Sequence, residues 1–241
     1  MSNNNSQGMR MSLPPGTKVC GERGRYIIKN FVCMSTRSTT VLCETANGSV
    51  YRLKLFNGQH CINSDIQKKM KTVVIKGVIT PIDMGEFGCC PFFVYPNING
   101  TDTSKYPVSL NILVRQIIPQ LAFVINQYHR HRILLRDISP ENVLYRVQEQ
   151  QIAYCGFNNM AILPDKATLT KANGYGQNPS FIAPEVSKYG YSTCSDYYSL
   201  GITILSMLLG KNPMQLMKWE KIQKYLIEGN IPGIDINHLR N

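Results

Sequence analysis

Apolar and polar positions along the 241 residues follow two rhythms, and the change falls near residue 100. In the first, short runs rich in β-branched and aromatic residues alternate with polar ones: "RYIIKNFV" from Arg25, "TTVLCET" from Thr39 and "SVYRLKLF" from Ser49. Successive side chains on a strand point to opposite faces, so these runs predict strands with one buried face. Asn47-Gly48, between the second run and the third, predicts a hairpin, because a tight turn needs residues that accept positive φ. "GVITPIDMGEFGCCPFFVYP", Gly77 to Pro96, reads as two more strands around a glycine turn. "HCINSDIQKKMKTVVIKG" before it carries one short helix. The pattern amounts to about five strands with one inserted helix.

The second rhythm has helical spacing. In "SLNILVRQIIPQLAFVINQYH", Leu110, Leu113, Ile117, Leu121, Val124, Ile125 and Tyr128 fall on one helix face. Pro119 lacks an N–H and crowds the preceding turn, so it is expected to kink this helix or to mark its true start. "DYYSLGITILSMLLG", Asp196 to Gly210, is apolar nearly all round and predicts a helix buried in the middle of a domain. Gly210 fits its C-cap side, and Pro213 follows. "MQLMKWEKIQKYLIEG", from Met214, is amphipathic. A strand-rich part followed by a helix-rich part predicts an α+β chain with two lobes. Residues 1–16, rich in Asn and Ser and closed by Pro14-Pro15-Gly16, read as a flexible lead-in. Residues 17–98 are then one lobe with a hinge near Tyr95–Ile98, and 99–241 the other.

Apolar content of 43% is that of a folded globule. The net charge of +11 suits acidic partners, nucleic acid or acidic lipid, but no aromatic-basic interleaving or zinc-knuckle spacing supports nucleic acid. A basic surface on a soluble domain accounts for it. Eight cysteines are scattered without a C-x-x-C, which suits neither a zinc site nor a disulfide scaffold and predicts buried thiols in a reducing cytosol. The polar N-terminus is no signal peptide, and no run approaches the length of a membrane span.

Three further stretches carry chemistry: "RDISPEN" from Arg136, "FIAPE" from Phe181 and "SDYYSLG" from Ser195, followed by "GKNP" at Gly210. In this order and at these separations the chain, over about residues 26–228, resembles a protein kinase. "LPPGT" followed by "GRYIIKNF" resembles the lead-in of bacterial Ser/Thr kinases. The resemblance implies a small antiparallel β lobe and a helical lobe. It makes Asp137 the match of the base that orients the substrate hydroxyl, Asn142 the match of a magnesium ligand and Lys54, in "YRLK", the match of the phosphate-pairing lysine. Val94 falls at the back of the nucleotide cleft. Asp196 matches the buried-helix aspartate that bonds catalytic-loop backbone. Leu135 stands for a histidine whose role is packing, and Ser139 for a lysine that faces the phosphate. Glu185 normally pairs with a later arginine, for which Arg240 is the candidate. The chain stops soon after the Trp219 helix, so the last helices of the lobe are expected to be missing or reduced.

Against that pattern the nucleotide features are altered. The family's D-F-G lies thirteen residues after its metal-binding Asn, which here falls on Cys155-Gly156-Phe157, and residues 150–164 contain no Asp or Glu. Magnesium prefers hard oxygen ligands to a thiol. The glycine-rich loop is replaced by "NFVCMSTRSTTV", with no glycine to let backbone approach a phosphate; Thr36, Ser38 and Thr39 offer hydroxyls instead. Arg52 sits where the family has a small alanine against adenine, so its guanidinium is expected to fill the pocket or to turn out and distort the strand. The segment "NSDIQKKMKTVV" offers Asp65 as the only acid for Lys54.

The reading is a pseudokinase: a regulatory or scaffolding module in the cytoplasm with absent or weak ATP binding, no bound metal or cofactor, and a protein partner. Lys54, Asp137 and Asn142 are then vestigial positions. The alternative is an active atypical Ser/Thr protein kinase, or a related ATP-dependent transferase, that uses ATP and Mg. Thr168, Thr170 and Ser180 lie in the segment 155–185, and a solvated loop with common hydroxyls is expected there rather than a phosphorylation site.

Overall fold

The computed structural model of the chain describes residues 13–34, 38–56, 65, 66, 69, 73, 75–104, 107–157, 159–170 and 178–212. The chain forms two compact units, Met1–Asn63 with Ile79–Asn99, and Ser64–Val78 with Gly100–Asn241. The fold is α+β, with an antiparallel sheet in the first unit and a helical second unit.

The first unit is built on a six-stranded antiparallel sheet. Its strands are β1 (Lys18–Cys20), β2 (Arg25–Met34), β3 (Ser38–Glu44), β4 (Val50–Phe56), β5 (Asp83–Phe87) and β6 (Cys90–Pro96), in the order β1-β2-β3-β4-β6-β5. β1 is one strand more than the sequence pattern predicts, because three residues are too few to show an alternation. Between β3 and β4 the chain turns at Gly48, φ +80°, and Gly48 N–H donates to Thr45 carbonyl at 2.9 Å. This is the hairpin that Asn47-Gly48 predicts. One face of the sheet packs Val19, Tyr26, Ile28, Val41, Cys43, Leu53, Leu55, Phe92 and Val94 into a core. Leu13 joins that core, and Gly16 N–H donates to Ile28 carbonyl at 2.8 Å, so the residues expected as lead-in are anchored at Leu13 and Gly16, with Pro14 and Pro15 exposed between them. Burying a leucine stabilises by about 1.5–3 kcal/mol, enough to hold a short segment down. Asp83, buried in this unit, accepts from Tyr26 hydroxyl at 2.8 Å and from the N–H groups of Arg23 and Met84, which satisfies the carboxylate.

In the second unit the long helix predicted over residues 110–128 is present in three parts. They are α1 (Leu110–Ile112), a π-helical turn (Leu113–Ile117) and α2 (Ile118–Arg130). Pro119 marks the start of the longer α-helical part, one of its two expected roles: it is the second residue of α2, and the turn before it is wide, with Ile118 N–H bonding back to Leu113 carbonyl. Near a helix start a missing N–H costs little, and the π turn absorbs the change in register. Leu113, Ile117, Leu121, Val124, Ile125 and Tyr128 are buried as the spacing predicts. β7 (Thr101–Asp102), β9 (Val143–Arg146) and β10 (Gln151–Tyr154) form one small sheet. β8 (Ile133–Leu134) and β11 (Ala161–Ile162) form another. Segment 64–78 belongs to this unit because Tyr154 N–H donates to Gly77 carbonyl at 2.9 Å and Val78 bridges to Tyr154. Asp65, Ile66 and Lys69 are helical within it.

After the short α3 (Val186–Tyr189) comes α4 (Thr193–Leu209), opened by a reciprocal Ser192–Ser195 cap and ended by Gly210 at φ +65°. Leu200, Ile202 and Met207 are buried, but so is a polar stripe of Ser195, Asp196, Ser199, Thr203 and Ser206, while Ile204, Leu205, Leu208 and Leu209 are half-buried and Cys194, Tyr197 and Gly201 exposed. The expectation of a helix buried on all sides is corrected to this extent. A buried hydroxyl needs a partner, and α4 finds several in loop carbonyls: Ser199 donates to Phe181 at 2.6 Å and Thr203 to Ile138 at 3.1 Å. The cysteines also depart from expectation. Cys43 and Cys90 are buried and Cys155 half-buried, whereas Cys20, Cys33, Cys89 and Cys194 are exposed. Cys89 occupies the β5–β6 turn and Cys194 the first turn of α4, where the chain faces water. Among the described residues no helix is long and apolar enough to cross a membrane, and no cluster of three His, Cys, Asp or Glu could hold a metal. The predicted helix from Met214, together with Thr36, Cys61, Pro213 and Arg240, lies outside the described residues.

Candidate functional site

Loop 135–142 of the second unit is held from below by one carboxylate. Asp196, 1% exposed, accepts Leu135 N–H at 2.9 Å and Arg136 N–H at 2.8 Å, and its Oδ2 lies 2.7 Å from His129 Nε2. A buried charge is tolerable only when hydrogen-bonded, and here three donors surround it. His129 was missed in the sequence; its one signal is a polar residue directly after the buried Tyr128 near the end of a helix. Arg136 takes φ +61°, which bends the loop over the carboxylate. The Arg136 side chain, 8% exposed, stacks on the Tyr191 ring at 4.2 Å. Burial lowers the guanidinium pKa, and Tyr191 and Asp196 oppose that shift. Leu135 is fully buried, as an apolar substitute in a packing position should be.

The other end of the loop is tied to itself. Asn142 Nδ2 donates to Asp137 carbonyl at 2.8 Å and to Ser139 Oγ at 3.3 Å. Thr103 hydroxyl reaches the carbonyls of Pro140 and Val143, each at 3.0 Å. Asn142 carbonyl in turn accepts Cys155 N–H at 2.9 Å and faces its Sγ at 3.5 Å. The structure thus brings Asp137, Asn142 and Cys155 together within the second unit. Beside them Tyr154 is fully buried; its hydroxyl lies 3.1 Å from Asp137 carbonyl and 3.0 Å from Gly156 carbonyl. Burial, with Asp137 nearby, raises its pKa well above the ordinary tyrosine value.

Of the segment 155–185, Thr168 is exposed and Ser180 half-buried. Thr170 exchanges both backbone hydrogen bonds with Tyr191 at 2.9 Å, and its hydroxyl is buried without a partner. Solvent therefore reaches Thr168, while the Thr170 hydroxyl is shielded, a split the sequence does not foreshadow. Arg132, at φ +57°, holds the same segment through the carbonyls of Leu163, Pro164 and Ala167.

In the first unit Lys54 and Arg52 lie on the face of β4 opposite the core residues Leu53 and Leu55. Lys54 pairs in register with Thr40 and Phe93, and its Nζ is 5.8 Å from the Phe56 ring centre. Arg52 does not distort the strand: β4 keeps an unbroken register with β3 and β6, and Arg52 Nε donates to Asn97 Oδ1 at 3.1 Å. Its long stem runs along the sheet to the first residue past β6. Val94 is fully buried in β6, and Ser38 and Thr39 are buried in β3.

The family model of the protein kinase domain matches residues 102–237, more than half of the chain. The chain belongs to the protein kinase family. It is 28% identical over 116 residues to the serine/threonine-protein kinase sck2 of Schizosaccharomyces pombe, covering 47% of this chain and 18% of that protein. It is 35% identical over 109 residues to the MAP kinase kinase PBS2 of Saccharomyces cerevisiae, covering 39% and 16%. The chain spans less than a fifth of the length of each of these two curated relatives. In fold it is similar to vaccinia related kinase 3, with a TM-score of 0.69 at 18% identity, covering 90% of this chain and 78% of that one. The family match begins at Asp102, after the six-stranded sheet, although the likeness in fold covers nearly the whole chain. The likeness in fold thus extends into the first unit, beyond the stretch that the family model matches.

Proposed function

We propose that the chain is a pseudokinase: a kinase-fold regulatory or scaffolding module, acting in the cytoplasm through a protein partner, with absent or weak ATP binding and no significant phosphotransfer. The observation that carries this reading is Cys155. It occupies the position of the family's metal-binding aspartate, and its N–H and thiol both address the carbonyl of Asn142. An amide and a soft thiol do not fit magnesium, which takes hard oxygen ligands in near-ideal octahedral geometry. Arg52 supports the reading from the first unit, where a guanidinium reaching Asn97 takes the place of a small side chain. Phosphoryl transfer depends on positioning and on neutralising phosphate charge. The altered groups are the ones that neutralise, so Lys54, Asp137 and Asn142 are vestigial positions.

The intact hydrogen bonding around Asp137 favours a second reading, an active atypical Ser/Thr kinase or related ATP-dependent transferase using ATP and Mg through Lys54, Asp137 and Asn142. Thermal shift with ATP, with and without magnesium, and radiolabelled phosphate incorporation separate the two. The expected result is no shift and no incorporation. Cys155→Asp should leave incorporation undetectable, because residues that act as a unit are not restored one at a time. Magnesium-dependent incorporation by the unaltered protein that Asp137→Ala abolishes would replace the first reading with the second.

A further inference from the structure

We propose that Tyr154 is a bolt: its hydroxyl fastens segment 155–157 to loop 135–142, and residue 156 is glycine to make room for it. Tyr154 hydroxyl has one proton and two carbonyls within reach, Asp137 at 3.1 Å from the loop and Gly156 at 3.0 Å from the segment. A Cβ on residue 156 would lie 2.3 Å from Tyr154 Oη and 2.7 Å from Asp137 carbonyl oxygen, the second contact being backbone that cannot swing aside. The family order, with phenylalanine in the middle of D-F-G, therefore cannot be accommodated here. The phenylalanine comes one place later, where Phe157 is fully buried and packs edge-on against the Tyr154 ring at 5.8 Å. Three further hydrogen bonds close the assembly: Cys155 N–H to Asn142 carbonyl at 2.9 Å, Tyr154 N–H to Gly77 carbonyl at 2.9 Å, and Phe157 N–H to Cys155 carbonyl at 3.1 Å. A segment held by a buried tyrosine, a notch and backbone bonds on both sides has one conformation. It belongs to the same rigid frame as the loop anchored on Asp196.

The test is amide hydrogen exchange on the full chain, read on peptides covering 151–163, with alkylation of Cys155 by iodoacetamide as a second readout. Tyr154→Phe keeps the ring and removes the hydroxyl. Losing one buried hydrogen bond shifts a local opening equilibrium by about fivefold, so exchange at 155–157 and Cys155 alkylation should both rise by about that factor. Cys20, Cys33, Cys89 and Cys194 should alkylate at their former rates. Unchanged exchange in a folded Tyr154→Phe protein overturns the proposal. If that variant does not fold, the unaltered protein decides: amides of 155–157 exchanging as slowly as those of Leu135 and Arg136 support the bolt, and faster exchange overturns it. Neither arm contains nucleotide, so magnesium-dependent phosphate incorporation that Asp137→Ala abolishes would sink the pseudokinase reading and leave this one standing.

Discussion

Loop 135–142 and strands β2–β4 treat their polar groups in opposite ways. In the loop, Asp196, Asn142, Thr103 and Thr203 are spent on backbone N–H and carbonyl groups that would otherwise be buried unpaired. In β2–β4, the distal half of β2 is solvated on both faces, with Phe31 62% and Met34 56% exposed, and Arg52 bonds a side chain, that of Asn97. A residue that satisfies a buried backbone group is retained for stability whether or not a reaction takes place. A residue whose task is to meet a ligand has nothing else to hold it. On the proposed reading, Asn142 and Asp196 serve the fold, and Arg52 and Cys155 stand where the family resemblance implies a small residue and a carboxylate that serve chemistry.

The largest effect that could break this comparison is at Asp196. Asp196→Ala leaves two loop N–H groups and His129 without their acceptor, and is expected to destabilise by about 3–5 kcal/mol. Urea unfolding followed by circular dichroism measures it; a loss under about 1 kcal/mol would mean that the loop is not held by this carboxylate. Gly156→Ala should follow at about 1–3 kcal/mol, the usual range for overpacking. Adding Tyr154→Phe should recover only part, because the clash with Asp137 carbonyl remains. Full recovery by the double change would place all the crowding on the hydroxyl.

Arg52→Ala should cost no more than about 0.5 kcal/mol, as expected for a half-buried residue bonded to one side chain. A loss as large as that at Gly156 would show that Arg52 is part of a frame in the first unit too, and would erase the contrast. The smallest effect is alkaline. Burial pushes the Cys43 thiol from 9.0 up to about 12, so the neutral form is the one that the folded core favours. Its contribution is fully present below about pH 9 and is lost as pH rises towards 12. Cys43→Val should make the stability of the chain fall less steeply over that window, as read by thermal melts at stepped pH. An identical fall would assign the alkaline loss to other groups, of which buried Tyr154 in the second unit is one.

The period of apolar residues was sufficient to predict β2 to β6, the long helix before residue 130 and α4, because alternation and helical spacing are properties of neighbours in the chain. The same holds for Gly48, whose turn needs only the residues either side, and for the order of "RDISPEN", "FIAPE" and "SDYYSLG", which marks the kinase family. Tertiary structure alone decided what depends on residues far apart. His129 reaches a carboxylate 67 positions away, Arg52 turns to Asn97 and leaves its strand unbent, and segment 64–78 joins the helical unit through Tyr154. Pro119 is absorbed because the turn before it can widen, and Gly156 is fixed by the ring of Tyr154 and the carbonyl of Asp137. Local sequence sets which face of an element is apolar. Which polar group meets which buried carbonyl is chosen only when the chain closes on itself, because that choice depends on what is left unpaired by every other contact.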